Sequence, residues 1–74
     1  MSILAGITYN DLIKKLKAAG FVFDRQAKGS HEIWYHPVKK LRTTIPNHPG
    51  TFKIGTLKSI LKQTNIKTEE FIEL

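Results

Sequence analysis

Apolar residues recur at three- and four-residue spacing in two stretches of this chain and alternate with polar ones in the region between. In the first stretch Leu12, Ile13 and Leu16 share a helical stripe that Ala19 continues, while Lys14, Lys15 and Lys17 occupy the other face. Thr8 stands where an N-cap is expected, with Asp11 three residues on as a weak capping-box partner. Gly20 ends this helix as a C′ glycine, a position that favours a residue tolerant of positive φ. In the second stretch Ile54, Leu57, Ile60 and Leu61 form the apolar stripe of a helix over roughly Gly55 to Thr64, with Lys53, Lys58 and Lys62 at other positions.

Between the helices the pattern changes to short extended runs. Phe21–Gln26 reads as a strand in which Phe21 and Phe23 alternate with less apolar positions and are expected to face the core. Ala27-Lys28-Gly29-Ser30 is a hairpin turn with Gly29 at the strained position. A second strand runs from about His31 to His36 and stops at Pro37; Val38-Lys39-Lys40 turns the chain; Leu41–Ile45 is a third strand, ended by Pro46. Asn47-His48-Pro49-Gly50 is an irregular loop. Asn65 lies in the C-cap region of the second helix and Ile66 tucks back. Thr68-Glu69-Glu70 caps a last short helix whose apolar residues are Phe71, Ile72 and Leu74. Short turns between strands imply an antiparallel meander. The expected fold is α+β, a two-layer sandwich of a three-stranded antiparallel sheet with two helices on one face and the other face open. Double-stranded-RNA-binding domains have the same α-β-β-β-α order, although a fold alone does not give a function.

With 74 residues the chain is expected to form one small domain, residues 1–74. Such a domain buries only roughly 60% of its unfolded surface, and without cysteine it has neither disulfides nor Cys-based zinc sites. The apolar start, Met1–Ile7, is too short for a signal peptide and has no basic segment before it. No apolar run nears the roughly 20 residues that span a bilayer, so a soluble, cytoplasmic protein with no membrane partner is expected. Charge sharpens the picture. Twelve Lys and Arg stand against six Asp and Glu, net +6, and three of the acids are Glu69, Glu70 and Glu73 at the end of the chain. Residues 1–68 therefore carry 12 positive and 3 negative charges, net +9. A body of this kind attracts polyanions, nucleic acid foremost, although a merely solubilising surface has the same composition.

The chemistry-bearing candidate is His31, delivered to the start of a strand by the small-residue turn Gly29-Ser30. Histidine takes and gives a proton near neutrality, and in a basic setting its natural target is a phosphodiester. By alternation His31, Ile33 and Tyr35 share one strand face and Glu32, Trp34 and His36 the other. Trp34 is expected to pack beneath the helices, which points His31 to the open face with Tyr35 beside it. His36, before Pro37, reads as structural, and because it faces away from His31 the two cannot chelate one ion. His48 in the Pro-rich loop has no assigned role. The chain has no nucleophile elbow and no Walker-type loop, and Glu32 and Asp24 are too few acids for a magnesium-dependent nuclease. No cofactor or metal is expected.

Three separated motifs occur in order: Gly29-Ser30-His31 opening a strand that His36-Pro37 closes; Thr44-Ile45-Pro46 with His48-Pro49; and Ile54-Gly55-Thr56-Leu57-Lys58-Ser59-Ile60-Leu61-Lys62. Together, from about Leu12 to Ile66, they resemble HicA toxins, the YcfA-like mRNA interferases of HicA–HicB toxin–antitoxin systems. The resemblance implies a compact double-stranded-RNA-binding-like domain, ribosome-independent cleavage of mRNA, and a cognate HicB-like antitoxin that blocks the active site. The family's catalytic histidine carries over to His31 and its turn glycine to Gly29. Many members have a second histidine directly after the first, and this chain has Glu32 there.

On this reading His31 acts as general base on a ribose 2′-hydroxyl, or alternatively as acid toward the leaving 5′-oxygen, with water or Tyr35 supplying the other half. Lys28, Arg25 and Arg42 on or beside the sheet are candidates to hold phosphates, Arg42 facing either way by alternation. Ser30 either donates to a phosphate oxygen or bonds its own backbone. Lys58 and Lys62 form a helical basic ridge that reads as an ordinary solvated face. Two rival readings are a non-catalytic RNA-binding module of the same fold and a protein-interaction domain for an acidic partner.

Overall fold

A computed structural model describes residues 4–74; Met1–Ile3, part of the apolar start, lies outside the described residues. The elements are α1 (Tyr9–Ala18), β1 (Val22–Gln26), β2 (His31–His36), β3 (Leu41–Pro46), α2 (Ile54–Thr64) and α3 (Thr68–Glu73). The α-β-β-β-α order and the antiparallel meander expected from the periodicity are both present, and no helix among the described residues is long and apolar enough to cross a membrane.

The first helix starts on a reciprocal capping box. The Thr8 hydroxyl accepts the Asp11 N–H at 3.2 Å, and the Asp11 carboxylate accepts the Thr8 N–H at 3.0 Å, so two otherwise orphaned amides are satisfied. These bonds hold the Asp11 carboxyl below its ordinary range, with nearby Lys14 and Lys15 adding to the effect. Leu12, Ile13 and Leu16 are buried. At the other end Gly20 has φ +99°, and a Cβ there would meet His36 Nε2 at 2.7 Å, so glycine is required by both backbone and neighbour.

Strand β2 is the middle of the sheet, order β1-β2-β3. Its register pairs His31 with Pro46, Glu32 with Ile45, Trp34 with Thr43 and Tyr35 with Arg42. Glu32, Trp34 and His36 are buried toward the helices, whereas His31 is exposed and Ile33 and Tyr35 are half-buried on the open face. Trp34 joins a core with Leu4, Leu12, Leu16, Phe21, Ile45, Phe52, Leu57, Ile60, Leu61 and Phe71. Helix α2 packs on β3, and the Thr43 hydroxyl donates to Gln63 Oε1 at 2.7 Å across that contact. Asn65 ends α2 in the left-handed region at φ 56°, as a C-cap, and Ile66 is buried behind it.

Several expectations need correcting. Phe21 is buried, but Phe23 is 50% exposed. It shares the face of its partner Trp34 and meets that ring edge-on at 5.8 Å, yet it sits on an edge strand remote from α2. Just beyond it a β-bulge between Phe23 and Arg25 resets the alternation. Lys15 has partners that its place on the helix did not reveal: its ammonium lies 5.1 Å from the Phe71 ring centroid and donates to the carbonyls of Phe71 and Leu74 at 3.0 Å each. It thereby adds a charged donor at the end of α3, where the Phe71 carbonyl also accepts the Leu74 N–H at 3.3 Å. That helix is N-capped by Lys67 with no side-chain bond, and of its apolar residues Phe71 alone is buried. Ile54 is also exposed, at the first turn of α2.

Candidate functional site

The turn between β1 and β2 fixes His31 by backbone bonds. The Ala27 N–H donates to the His31 carbonyl at 2.8 Å and the His31 N–H to the Lys28 carbonyl at 3.3 Å. Gln26 Nε2 braces the same turn, donating to Gly29 O at 3.2 Å and His31 O at 2.9 Å. Gly29 has φ +66° with open space where a Cβ would be, so its requirement is conformational. The ring of His31 lies with Nδ1 3.2 Å from the Lys28 carbonyl oxygen. A carbonyl only accepts, so Nδ1 carries the hydrogen, and in the neutral ring the lone pair sits on Nε2.

The open sheet face continues from this imidazole. Arg42, across from Tyr35, lays its guanidinium over the Tyr35 ring at 4.4 Å and pairs with Asp24. This resolves the alternation for Arg42: it faces the same side as His31. Arg25 pairs with Ile33, also on this face, and its exposed side chain approaches Asp24 at 3.8 Å. Lys28 and Ser30 are exposed in the turn; the contact Ser30 makes is through its carbonyl, which accepts the Asn47 N–H at 2.9 Å. The sheet and its hairpin thus bring His31, Tyr35, Arg25, Arg42, Lys28 and Ser30 to one face and its lip. Lys58 and Lys62 are exposed on α2. His36 is buried: its Nδ1 accepts the Lys39 N–H at 3.0 Å, its Nε2 donates to the Ala19 carbonyl at 3.1 Å, and Phe21 packs edge-on against it. Its structural reading holds.

Glu32 is the residue that sequence reasoning missed. Its side chain is buried beneath the sheet, where Oε1 accepts from the Tyr9 hydroxyl at 2.6 Å and from Trp34 Nε1 at 3.1 Å, and Oε2 accepts from Asn47 Nδ2 at 3.0 Å. Burial pushes its pKa up, but the three donated hydrogen bonds outweigh that and hold it below the ordinary carboxylate range. Tyr9 responds in the opposite sense: burial, the bond to Glu32 and the carboxylate's charge push the phenol up to about 12. One ionised carboxylate therefore joins the first turn of α1, the middle strand and the loop after β3. The signal available in the sequence was an acid alternating with Trp34 on the expected core face, a position that has to be satisfied by donors.

That loop closes one side of a cleft of about 360 Å3, lined by Thr8, Tyr9, Asn10, Asn47, His48, Pro49, Gly50 and Thr51. The Thr8–Thr51 bridge and the bond from Phe52 N to Ile7 O at 2.8 Å hold its two walls together. The His48 ring rests on Phe52 with centroids 5.5 Å apart. His31 does not line the cleft; it borders it through Ser30, bonded to Asn47, and through Pro46, its partner across the sheet. No group of three or more His, Asp or Glu side chains gathers to hold a metal ion among the described residues.

No curated protein matches the chain. One family model does, that of the HicA toxin of bacterial toxin–antitoxin systems, over residues 9–66. The match runs from the first residue of α1 through the whole sheet, the cleft-forming loop and α2, most of the chain. The chain therefore belongs to the HicA toxin family, which makes it the toxin of a toxin–antitoxin system with a cognate antitoxin as its partner.

Proposed function

We propose that this toxin is a metal-independent endoribonuclease, an mRNA interferase in which His31 performs the proton transfer. The observation that carries this reading is the fixed ring of His31: the Lys28 carbonyl takes the Nδ1 hydrogen, leaving Nε2 as the basic nitrogen of an exposed imidazole. Nε2 removes the proton of a ribose 2′-hydroxyl. The resulting oxygen attacks the adjacent phosphorus, and the bond to the 5′-oxygen breaks. The products are a 2′,3′-cyclic phosphate and a 5′-hydroxyl, the latter protonated by water, by Tyr35 or by the imidazolium once it can reach. A positioned histidine contributes typically 10²–10⁴-fold to such a step, enough for a toxin whose damage accumulates.

Arg25, Arg42 and Lys28 hold the phosphates on either side, and Gly29 and Ser30 shape the lip at which the phosphodiester sits. Arg42 is preset for this, since its plane is already fixed against Tyr35. The cognate antitoxin, acidic where it meets this surface, silences the toxin by covering His31, and the pair acts in the cytoplasm.

Purified protein incubated with RNA in EDTA tests the reading. Fragments ending in cyclic phosphate are expected from the wild type and none from His31→Ala, which keeps its fold because the ring is exposed. Equal cleavage by the variant would remove His31 from the mechanism; binding without cleavage by the wild type would leave a non-catalytic RNA-binding domain.

A further inference from the structure

We infer that the cleft between the first turn of α1 and the loop 47–51 is a binding site for one unpaired nucleotide of the RNA, taking its base and ribose while the sheet face takes phosphates. The inference rests on the ribonuclease reading for the identity of the strand, and it names the part of the substrate that the site beside His31 receives.

The division of charge is the first observation. No Lys, Arg, Asp or Glu lines the cleft, whereas Arg25, Lys28 and Arg42 lie on the sheet face and hairpin. A phosphate would gain little in the cleft and much on the sheet. What the cleft offers is flat surface and neutral hydrogen-bonding groups: the Tyr9 ring, the His48 imidazole braced on Phe52, and the Asn10, Asn47 and Thr51 side chains. Unstacked bases are recognised by this combination, stacking on aromatic or imidazole rings and bonding through their edges. The volume of about 360 Å3 falls at the small end of ligand sites, which run from about 300 to 1,000 Å3.

The second observation is preorganisation. Two lining residues, Tyr9 and Asn47, are fixed from behind by one buried acceptor, Glu32, at 2.6 and 3.0 Å. With Nδ2 committed to Glu32, the Asn47 carbonyl oxygen is oriented as an acceptor for a base or a ribose hydroxyl. Such a wall does not have to be ordered when ligand arrives.

The third is adjacency. Asn47 is bonded to Ser30 and follows Pro46, the partner of His31, so with Cα steps of about 3.8 Å and paired Cα atoms about 5 Å apart it lies within about 10 Å of His31. One RNA strand can occupy both places. A duplex cannot, because its bases are stacked and paired and none is free to enter.

The test uses His31→Ala protein labelled with ¹⁵N, so that RNA is not consumed, and single-stranded hexaribonucleotides of each base, with a duplex of equal length as comparison. Single strands are expected to shift the side-chain amides of Asn10 and Asn47 and the ring of His48, by amounts that depend on the base. Asn10→Ala, at an exposed position that leaves folding intact, is expected to weaken single-strand binding about fivefold, the loss of one hydrogen bond of about 1 kcal/mol; His48→Ala provides an independent second variant. Shifts confined to Arg25, Tyr35 and Arg42, or cleft shifts that a duplex reproduces equally, would overturn the inference even if the wild type cleaves RNA. Cleft shifts with single strands together with no cleavage by the wild type would remove the ribonuclease reading and leave the nucleotide site standing.

Discussion

Replacing Glu32 with glutamine keeps the volume of the side chain and removes its charge, and the expected damage follows from its three donors. Glutamine still offers one carbonyl oxygen, which accepts from two of Tyr9, Trp34 and Asn47, but it turns an NH2 toward the third. Stranding one buried donor costs about 1–3 kcal/mol, and each of the two remaining bonds loses roughly half to one kcal/mol on becoming neutral. The sum is about 2–5 kcal/mol. A chain of 74 residues has a total stability of about 4–11 kcal/mol, and at this size each kcal/mol moves the melting temperature by about 4–8 °C. E32Q is therefore expected to melt at least about 8 °C, and up to about 40 °C, below wild type at pH 7, read by circular dichroism. The pH dependence gives a sharper check. The folded-state pKa of Glu32 lies below its ordinary value of 4.5, so its contribution is fully present above that value and is lost as pH falls through the folded-state pKa. The gap between the two proteins should narrow as the pH falls below 4.5. An E32Q protein that melts within about 3 °C of wild type at pH 7, or a gap that stays constant into acid, would refute the claim that this carboxylate is ionised and satisfied in the fold.

Three other outcomes are expected. Gly20→Ala should destabilise by about 2–4 kcal/mol in urea unfolding, since it adds positive-φ strain to a collision with His36; His36→Ala in the same background should recover part of the loss. Lys15→Met keeps the stem and removes the ammonium that caps the end of α3, so amide exchange should accelerate selectively in residues 68–74, with a global loss of about 1–2 kcal/mol. Arg42→Ala should weaken RNA binding at every sequence alike and lower the dependence of log K on log salt by about one phosphate contact, a slope change near 0.7 for single strands; an unchanged slope would show that Arg42 stays paired with Asp24.

The helices, the meander and the outward aim of His31 could all be read from spacing, because a buried Trp34 leaves its alternating neighbours only one other face. The same rule failed at Phe23, where an edge position and the Asp24 bulge are properties of sheet order rather than of local pattern. Asn65 and the Thr8–Asp11 box were legible because caps are local. The role of Lys15 was not legible because its partners, the carbonyls of Phe71 and Leu74, lie more than fifty residues away in sequence. The cleft was illegible for the same reason. Its walls come from residues 8–10 and 47–51, and the carboxylate that joins them looked like one acid among few.

Burial of Phe71 in the core and the grip of Lys15 on its carbonyl have a consequence for biosynthesis. Helix α1 leaves the ribosome early, but the contacts that complete its packing arrive more than fifty residues later, with Phe71. A nascent polypeptide stalled at residue 66 would hold every side chain of the proposed active site and still lack the plug that closes its core. Translation that stops short of Phe71 is expected to yield a loosely folded fragment suited to proteolysis.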